Sequence, residues 1–236
     1  MKANNFWIKG SAIILVFIVS HAAVNNLDDE TPVALIKKIV KDVSYRPDEQ
    51  SDWELAKTGK PLADGEEIRT GYRSLALVLF TDGSGLLRVR ENSILHIYGE
   101  RQGDKIDKNT FINKGKVGFD VAKQSEDESF KFTTPTVVAS IRGTEGLINV
   151  ADDSTTTVIC QIGLIALNSV LGTQSSGNVE GGSTAIIRKD GSIEVRKSTD
   201  EENNEVDKTK QNETNKVKIK TNEGSIEIEY LPDAKK

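Results

Sequence analysis

Apolar and polar residues alternate with a period of two along most of the chain after Tyr45. Val117, Phe119 and Val121 are interleaved with Lys116, Gly118 and Asp120, the mark of a strand with one face in a core. Phe130 and Phe132 flank Lys131 in the same way, and Ile193 alternates with Val195. Val217 and Ile219, then Ile226, Ile228 and Tyr230, repeat the pattern near the end. Leu75–Phe80 is wholly apolar between Gly71 and Asp82-Gly83, which predicts a strand covered on both faces. Thr155 to Cys160 opens with five β-branched residues, a composition that packs well on a pleated surface. Roughly a dozen such runs of four to six residues predict an all-β fold, sandwich-like or β-solenoid-like.

Other segments break this rhythm. Leu35, Ile36, Ile39, Val40 and Val43 form a helical stripe without a capping box, and periodicity leaves helix and strand both open there. Asp52 to Ala56 reads as one helical turn capped by Asp52, with Trp53 as a core anchor. Ser198–Asn215 holds Val206 as its one large apolar residue, and predicts a solvated linker over 198–215 before a last hairpin at 216–231. Asp190-Gly191-Ser192-Ile193-Glu194-Val195 and Glu223-Gly224-Ser225-Ile226-Glu227-Ile228 repeat one turn-and-strand unit, glycine supplying the positive φ of the turn.

The N-terminus predicts export. Lys2 and Lys9 precede an apolar run, Ala12 to Val19, and Ser20-His21-Ala22 offers small residues for cleavage. The run is short for a membrane span of roughly 20 residues, so residues 1–23 read as a cleaved signal peptide, with no membrane span afterwards. That places the protein in the periplasm or outside the cell. Without Lys2 and Lys9 the chain has 29 basic against 36 acidic residues, a net charge of −7. Such a balance offers no electrostatic footprint for nucleic acid. Cys160 is the single cysteine, so no intramolecular disulfide can form; in Val-Ile-Cys-Gln-Ile it reads as buried filler.

Catalytic constellations are missing from the sequence. His96 is the one histidine left after the leader, which rules out His/His metal pairs, and no nucleophile elbow or phosphate-binding glycine loop exists. The chain is therefore read as a non-enzyme with no catalytic, cofactor or metal residues. One segment, Phe132 to Glu145, resists a bland reading. Pro135 holds Thr134 extended, and Arg142 and Glu145 flank Gly143-Thr144, where a tight bend could pair guanidinium with carboxylate.

At these residues the chain resembles the FecR domain family of bacterial periplasmic proteins. The resemblance runs through Trp53-x-x-Ala56-x-x-Gly59-x-x-Leu62-x-x-Gly65-x-x-Ile68-Arg69-Thr70-Gly71, Ser74-x-Ala76 and Phe80-x-Asp82-Gly83-Ser84. Its most specific piece is Thr134-Pro-Thr-Val-Val-Ala-Ser-Ile-Arg-Gly-Thr-Glu145, and it spans about residues 33–197. It implies a domain of short stacked strands and favours a β-hairpin over Ala34–Tyr45. Well-known members span the inner membrane, hold a sigma factor in the cytoplasm and receive a signal from an outer-membrane transporter. Eleven residues precede the apolar run here, too few for a cytoplasmic sigma-binding segment, so an anti-sigma role is not expected. The expectation is a cell-envelope module that binds another envelope protein through a sheet edge or through Arg69, Pro135, Arg142, Gly143, Thr144 and Glu145. Binding of a cell-wall polysaccharide, with Trp53 as the platform, is the alternative.

Overall fold

The computed structural model describes residues 31–102, 105–123, 130–172, 175–210, 215–221 and 224–230; the expected signal peptide at 1–23 lies outside them. The first half of the chain forms β1 (Ala34–Val40), β2 (Val43–Arg46), β3 (Glu54–Leu55), β4 (Pro61–Leu62), β5 (Glu67–Thr70), β6 (Leu75–Phe80), β7 (Gly85–Val89), β8 (Ile94–Gln102) and β9 (Lys105–Val121). There follow β10 (Phe130–Thr133), β11 (Val137–Ile141), β12 (Thr144–Val150), β13 (Thr156–Ile162), β14 (Leu164–Ser169), β15 (Ser176–Glu180), β16 (Ser183–Ile187) and β17 (Ile193–Lys197). Helix α1 (Asp200–Lys210) precedes β18 (Asn215–Thr221) and β19 (Gly224–Tyr230), which pair with each other as the expected C-terminal hairpin.

The strands from β1 to β17 make an all-β sandwich. Its first sheet runs β4-β1-β6-β7-β9-β12-β13-β16-β17, each neighbour antiparallel. Its second runs β3-β2-β5-β8-β9-β10-β11-β14-β15, antiparallel except for the parallel β9–β10 pair. Strand β9 belongs to both: Lys105–Lys114 pairs with β8 in the second sheet, and Gly115–Val121 with β12 in the first. Period-two alternation lets one strand serve two sheets, because each half presents its apolar positions to the shared interior.

That interior is one continuous core. Phe80, Phe130, Phe132 and Phe119 form a chain of rings with successive centroids 5.1, 5.3 and 5.0 Å apart. Leu75–Phe80 is covered on both faces as expected: Ala76, Val78 and Phe80 enter the core, while Leu75 and Leu77 cluster with Val40 on the outside. Cys160 is fully buried, and burial pushes its thiol up to about 11. One charge lies among these apolar side chains. Lys108 alternates with Ile106, Thr110 and Ile112, is 1% exposed, and meets Asp82 of the β6–β7 turn at 2.6 Å.

The fold corrects three readings of the sequence. Strands β1 and β2 exist but form no hairpin, since β1 pairs in the first sheet and β2 in the second. Lys41 (φ 58°) turns the corner, and Asp42 is tied to the β5–β6 connection through Ser74 Oγ and Gly71 N–H. Asp52–Ala56 is no helical turn; Trp53 is half-buried in the approach to the edge strand β3. Residues 198–215 hold a helix rather than an irregular linker. Thr199 and Glu202 form a reciprocal capping box, with Glu202 N–H donating to Thr199 Oγ1 (3.3 Å) and Thr199 N–H to Glu202 Oε2 (2.8 Å).

Tertiary anchors explain how so polar a helix is held. Val206 packs on Leu147 and Ile159 on the outer face of the first sheet. Gly118 of β9 leaves room for Thr209, whose Oγ1 lies 2.4 Å from where a Cβ would stand. Glu202 accepts two hydrogen bonds from Arg196 and one from Thr184, and Lys116 pairs with Glu205 at 3.0 Å. The Arg196 hydrogen bonds, set against partial burial and aided by Thr199 and Thr184, pull the Glu202 carboxyl down to about 2. A depressed carboxyl contributes stability above its unfolded value of 4.5 and loses it as pH falls toward 2. Amide exchange in α1 is therefore expected to accelerate across that window ahead of the sandwich. Thr199→Ala should cost about 1 kcal/mol in a denaturant melt.

Candidate interaction surface

The six residues singled out in the sequence occupy three separate places. Pro135 sits in the turn entering β11, where Thr134 N–H donates to Val137 O and Thr134 Oγ1 accepts from Val137 N–H. The buried hydroxyls of Thr134 and Thr136 lie 3.1 and 2.7 Å from that of Thr156 on β13. Arg142, Gly143, Thr144 and Glu145 lie at the far end of β11, where the chain crosses from the second sheet to the first. Arg69 lies on the outer face of β5, in the second sheet.

The crossing is built by stacked glycine corners. Gly143 (φ 66°) turns β11 into β12, and Gly163 (φ 95°) turns β13 into β14 directly against it. A Cβ on Gly163 would fall 2.4 Å from Gly143 O and 2.9 Å from Thr144 Oγ1. Thr144 Oγ1 donates to Leu164 O at 3.1 Å, and Gly181 N–H to Gly163 O at 3.0 Å, fastening a third corner. The proposed bend at Gly143 is present, but the carboxylate of Glu145 faces outward on β12 and pairs with Lys210 at 2.7 Å. An ion pair with α1 thus replaces the expected Arg142–Glu145 pair. Arg142 is exposed at the corner.

Beside Arg142 the outer face of the second sheet carries a groove of about 340 Å³, lined by Phe130, Lys131, Ser140, Ile141, Leu164 and Ala166 with Arg142. Lys131, Ser140 and Ala166 stand in register across β10, β11 and β14. Ile162 and Leu164 flank Gly163 and are 58% and 47% exposed. Exposed apolar side chains mark interaction surfaces, and arginine is among the residues that anchor them.

A second polar cluster crosses the same sheet. Register aligns Arg46, Glu67, His96 and Phe111 across β2, β5, β8 and β9. Glu67 and His96 are buried, His96 stacks on Tyr98 at 5.9 Å, and Arg46 Nη2 contacts both Glu67 oxygens at 2.9 and 3.0 Å. Glu49, Glu67 and His96 bring ligand-type atoms within 4.8 Å of one another. Arg46 already neutralises Glu67 where a cation would sit, so the row is read as an internal charge network. The Trp53 ring is engaged too, with the guanidinium groups of Arg46 and Arg69 at 4.6 and 4.3 Å from its centroid. Sequence reasoning missed this row because its members come from strands far apart in the chain.

No curated protein matches the chain. Among solved structures, two crystal structures of a protein from Parabacteroides distasonis ATCC 8503, described as a "putative anti-sigma factor", match at 16% identity and a TM-score of 0.48. Each alignment covers 56% of this chain and 59% of the other. No helix among the described residues is long and apolar enough to cross a membrane. The family model for "FecR protein" matches residues 66–166, and over that stretch, from β5 into β14 with the glycine corner between, the chain is similar to this family.

Proposed function

We propose that this chain is a non-catalytic interaction module of the bacterial cell envelope, engaging another envelope protein through the groove beside Arg142. The observation that carries this reading is the exposure of Leu164 in the groove beside Arg142, on a corner fixed by glycines within the FecR-matched strands. Apolar side chains exposed at a strand end cost solubility, and a rigid backbone lowers the ordering entropy of binding. The partner fits an apolar anchor beside a carboxylate, which the groove and Arg142 would receive.

A photo-crosslinking side chain placed at Leu164 in living cells is expected to trap a discrete partner, while the same group at Lys189, on the β16–β17 turn, traps none. Arg142→Ala should weaken the isolated complex by about 2 kcal/mol, near 30-fold in Kd. Equal crosslinking at both positions, or none at Leu164, would sink the proposal.

A further inference from the structure

The edge strand β17 carries a recognition pattern that the groove does not use. It pairs with β16 on one side, and no other described strand pairs with it. Arg188 N–H donates to Ser192 O at 3.1 Å and Ser198 N–H to Gly182 O at 3.0 Å. Antiparallel ladders alternate, so residues 192, 194, 196 and 198 direct their backbone groups toward β16. Ile193, Val195 and Lys197 then direct theirs toward the open edge. The core also stops short of this strand: Ala185 on β16 is fully buried, whereas Val195 opposite it is 44% exposed.

We propose that β17 pairs with β17 of a second copy of this chain, antiparallel about a two-fold axis at Val195. This surface is distinct from the groove beside Arg142 and stands whether or not that groove binds a partner. The sequence of the strand, Ile193-Glu194-Val195-Arg196-Lys197, is self-complementary in this register. Val195 meets Val195 of the partner subunit as a hydrogen-bonded pair, and Ile193 meets the partner subunit's Lys197. Every outward backbone group of the three residues then finds a partner, joining two first sheets into one. Glu194 faces the partner subunit's Arg196 at a non-hydrogen-bonded position, where Cα atoms are about 4.5 Å apart and side chains come closest. Any other register sets like charges opposite or leaves outward groups unpaired.

Three contacts within the chain must be compatible with this pairing. Glu194 is held by Arg188 and Arg196 by Glu202, both ion pairs on the outer face of the sheet, away from the edge. The Lys197 carbonyl accepts from Arg196 Nη1 at 3.0 Å, and its second lone pair stays available for the ladder. The interface is one strand wide, so a reversible dimer of modest affinity is expected.

Sedimentation of the full chain up to about 0.5 mM should show a concentration-dependent dimer. Val195→Pro removes an edge N–H that β16 does not use, and should raise the dimer Kd at least about tenfold with an unchanged melting curve. Register is tested in a Cys160→Ala background. Glu194→Cys combined with Arg196→Cys should form a covalent dimer under mild oxidation, and either cysteine alone should not. A wild-type chain that stays monomeric, a proline variant that dimerises unchanged, or single cysteines that crosslink as fast as the pair would each overturn the proposal. Should the proline variant fail to fold, the cysteine register decides alone.

Discussion

Asp82→Ala is expected to cost about 3–5 kcal/mol of folding stability, because it leaves the Lys108 ammonium buried without a counter-charge. Lys108 is 1% exposed and lies 5.9 Å from the Phe130 ring centroid, so it cannot reach water without moving core side chains. Removing both charges should be much milder. The double variant Asp82→Ala/Lys108→Met is expected to recover most of the loss in urea denaturation, since a methionine fills the same channel without a desolvation cost. Acid titration gives an independent check. Burial alone would raise the Asp82 carboxyl, but hydrogen bonds from Lys108 and from the hydroxyl and N–H of Ser84 outweigh it and hold it below its ordinary 3.8. The pair thus contributes fully above pH 3.8 and loses its contribution as pH falls through the depressed value. Wild type should lose stability below that pH more steeply than the double variant; parallel acid limbs would refute the assignment.

Gly163→Ala should be nearly as damaging, at about 3 kcal/mol, through two effects on one atom. At φ 95° an L-side chain is strained, and the added Cβ would stand 2.4 Å from the Gly143 carbonyl oxygen, a backbone atom held by its own corner. Relief would require separating the β11–β12 and β13–β14 corners, which breaks the hydrogen bond from Thr144 to Leu164 O. Gly182→Ala is the matched control: its φ is 79°, yet no atom lies within 4 Å of the added Cβ, so strain acts there without collision. A thermal melt comparing the two separates strain from clash, and equal losses would show that the stacked corner contributes nothing of its own.

Much of the sandwich was legible because alternation is a local signal. Val117, Phe119, Val121, Phe130 and Phe132 all point into the core as their spacing requires, and Leu75–Phe80 is covered on both sides. Helix α1 was legible too, though in a different currency. Thr199-Asp-Glu-Glu202 is a capping box with an acidic first turn, and Lys208 and Lys210 sit in the last turn, where the helix dipole favours cations. Weighing apolar content above capping turned that stretch into a linker. Val206, its single large apolar side chain, suffices because Leu147 and Ile159 wait for it on the sheet.

The candidate site was legible in part. The Arg-Gly-Thr segment was found as a bend, but the partner of Glu145 lies 65 positions away on α1 and could not be inferred from spacing. The groove beside Arg142 draws on β10, β11 and β14, whose adjacency is a product of pairing. Arg69 was grouped with Arg142 by sequence resemblance, whereas in the fold it serves the Trp53 cluster.

By itself, the sequence determined that this chain would be built of short strands around an apolar interior, that its lone cysteine would be buried, and where its sharp turns would fall. Those properties depend on neighbours within a few residues, through side-chain alternation, β-branching and the positive φ that glycine tolerates. Tertiary structure alone decided which sheet each strand joins, how β9 serves both, where the charge of Lys108 is neutralised, and which residues share a surface. These depend on closures between distant segments, whose cost is met collectively by the core rather than by any local motif.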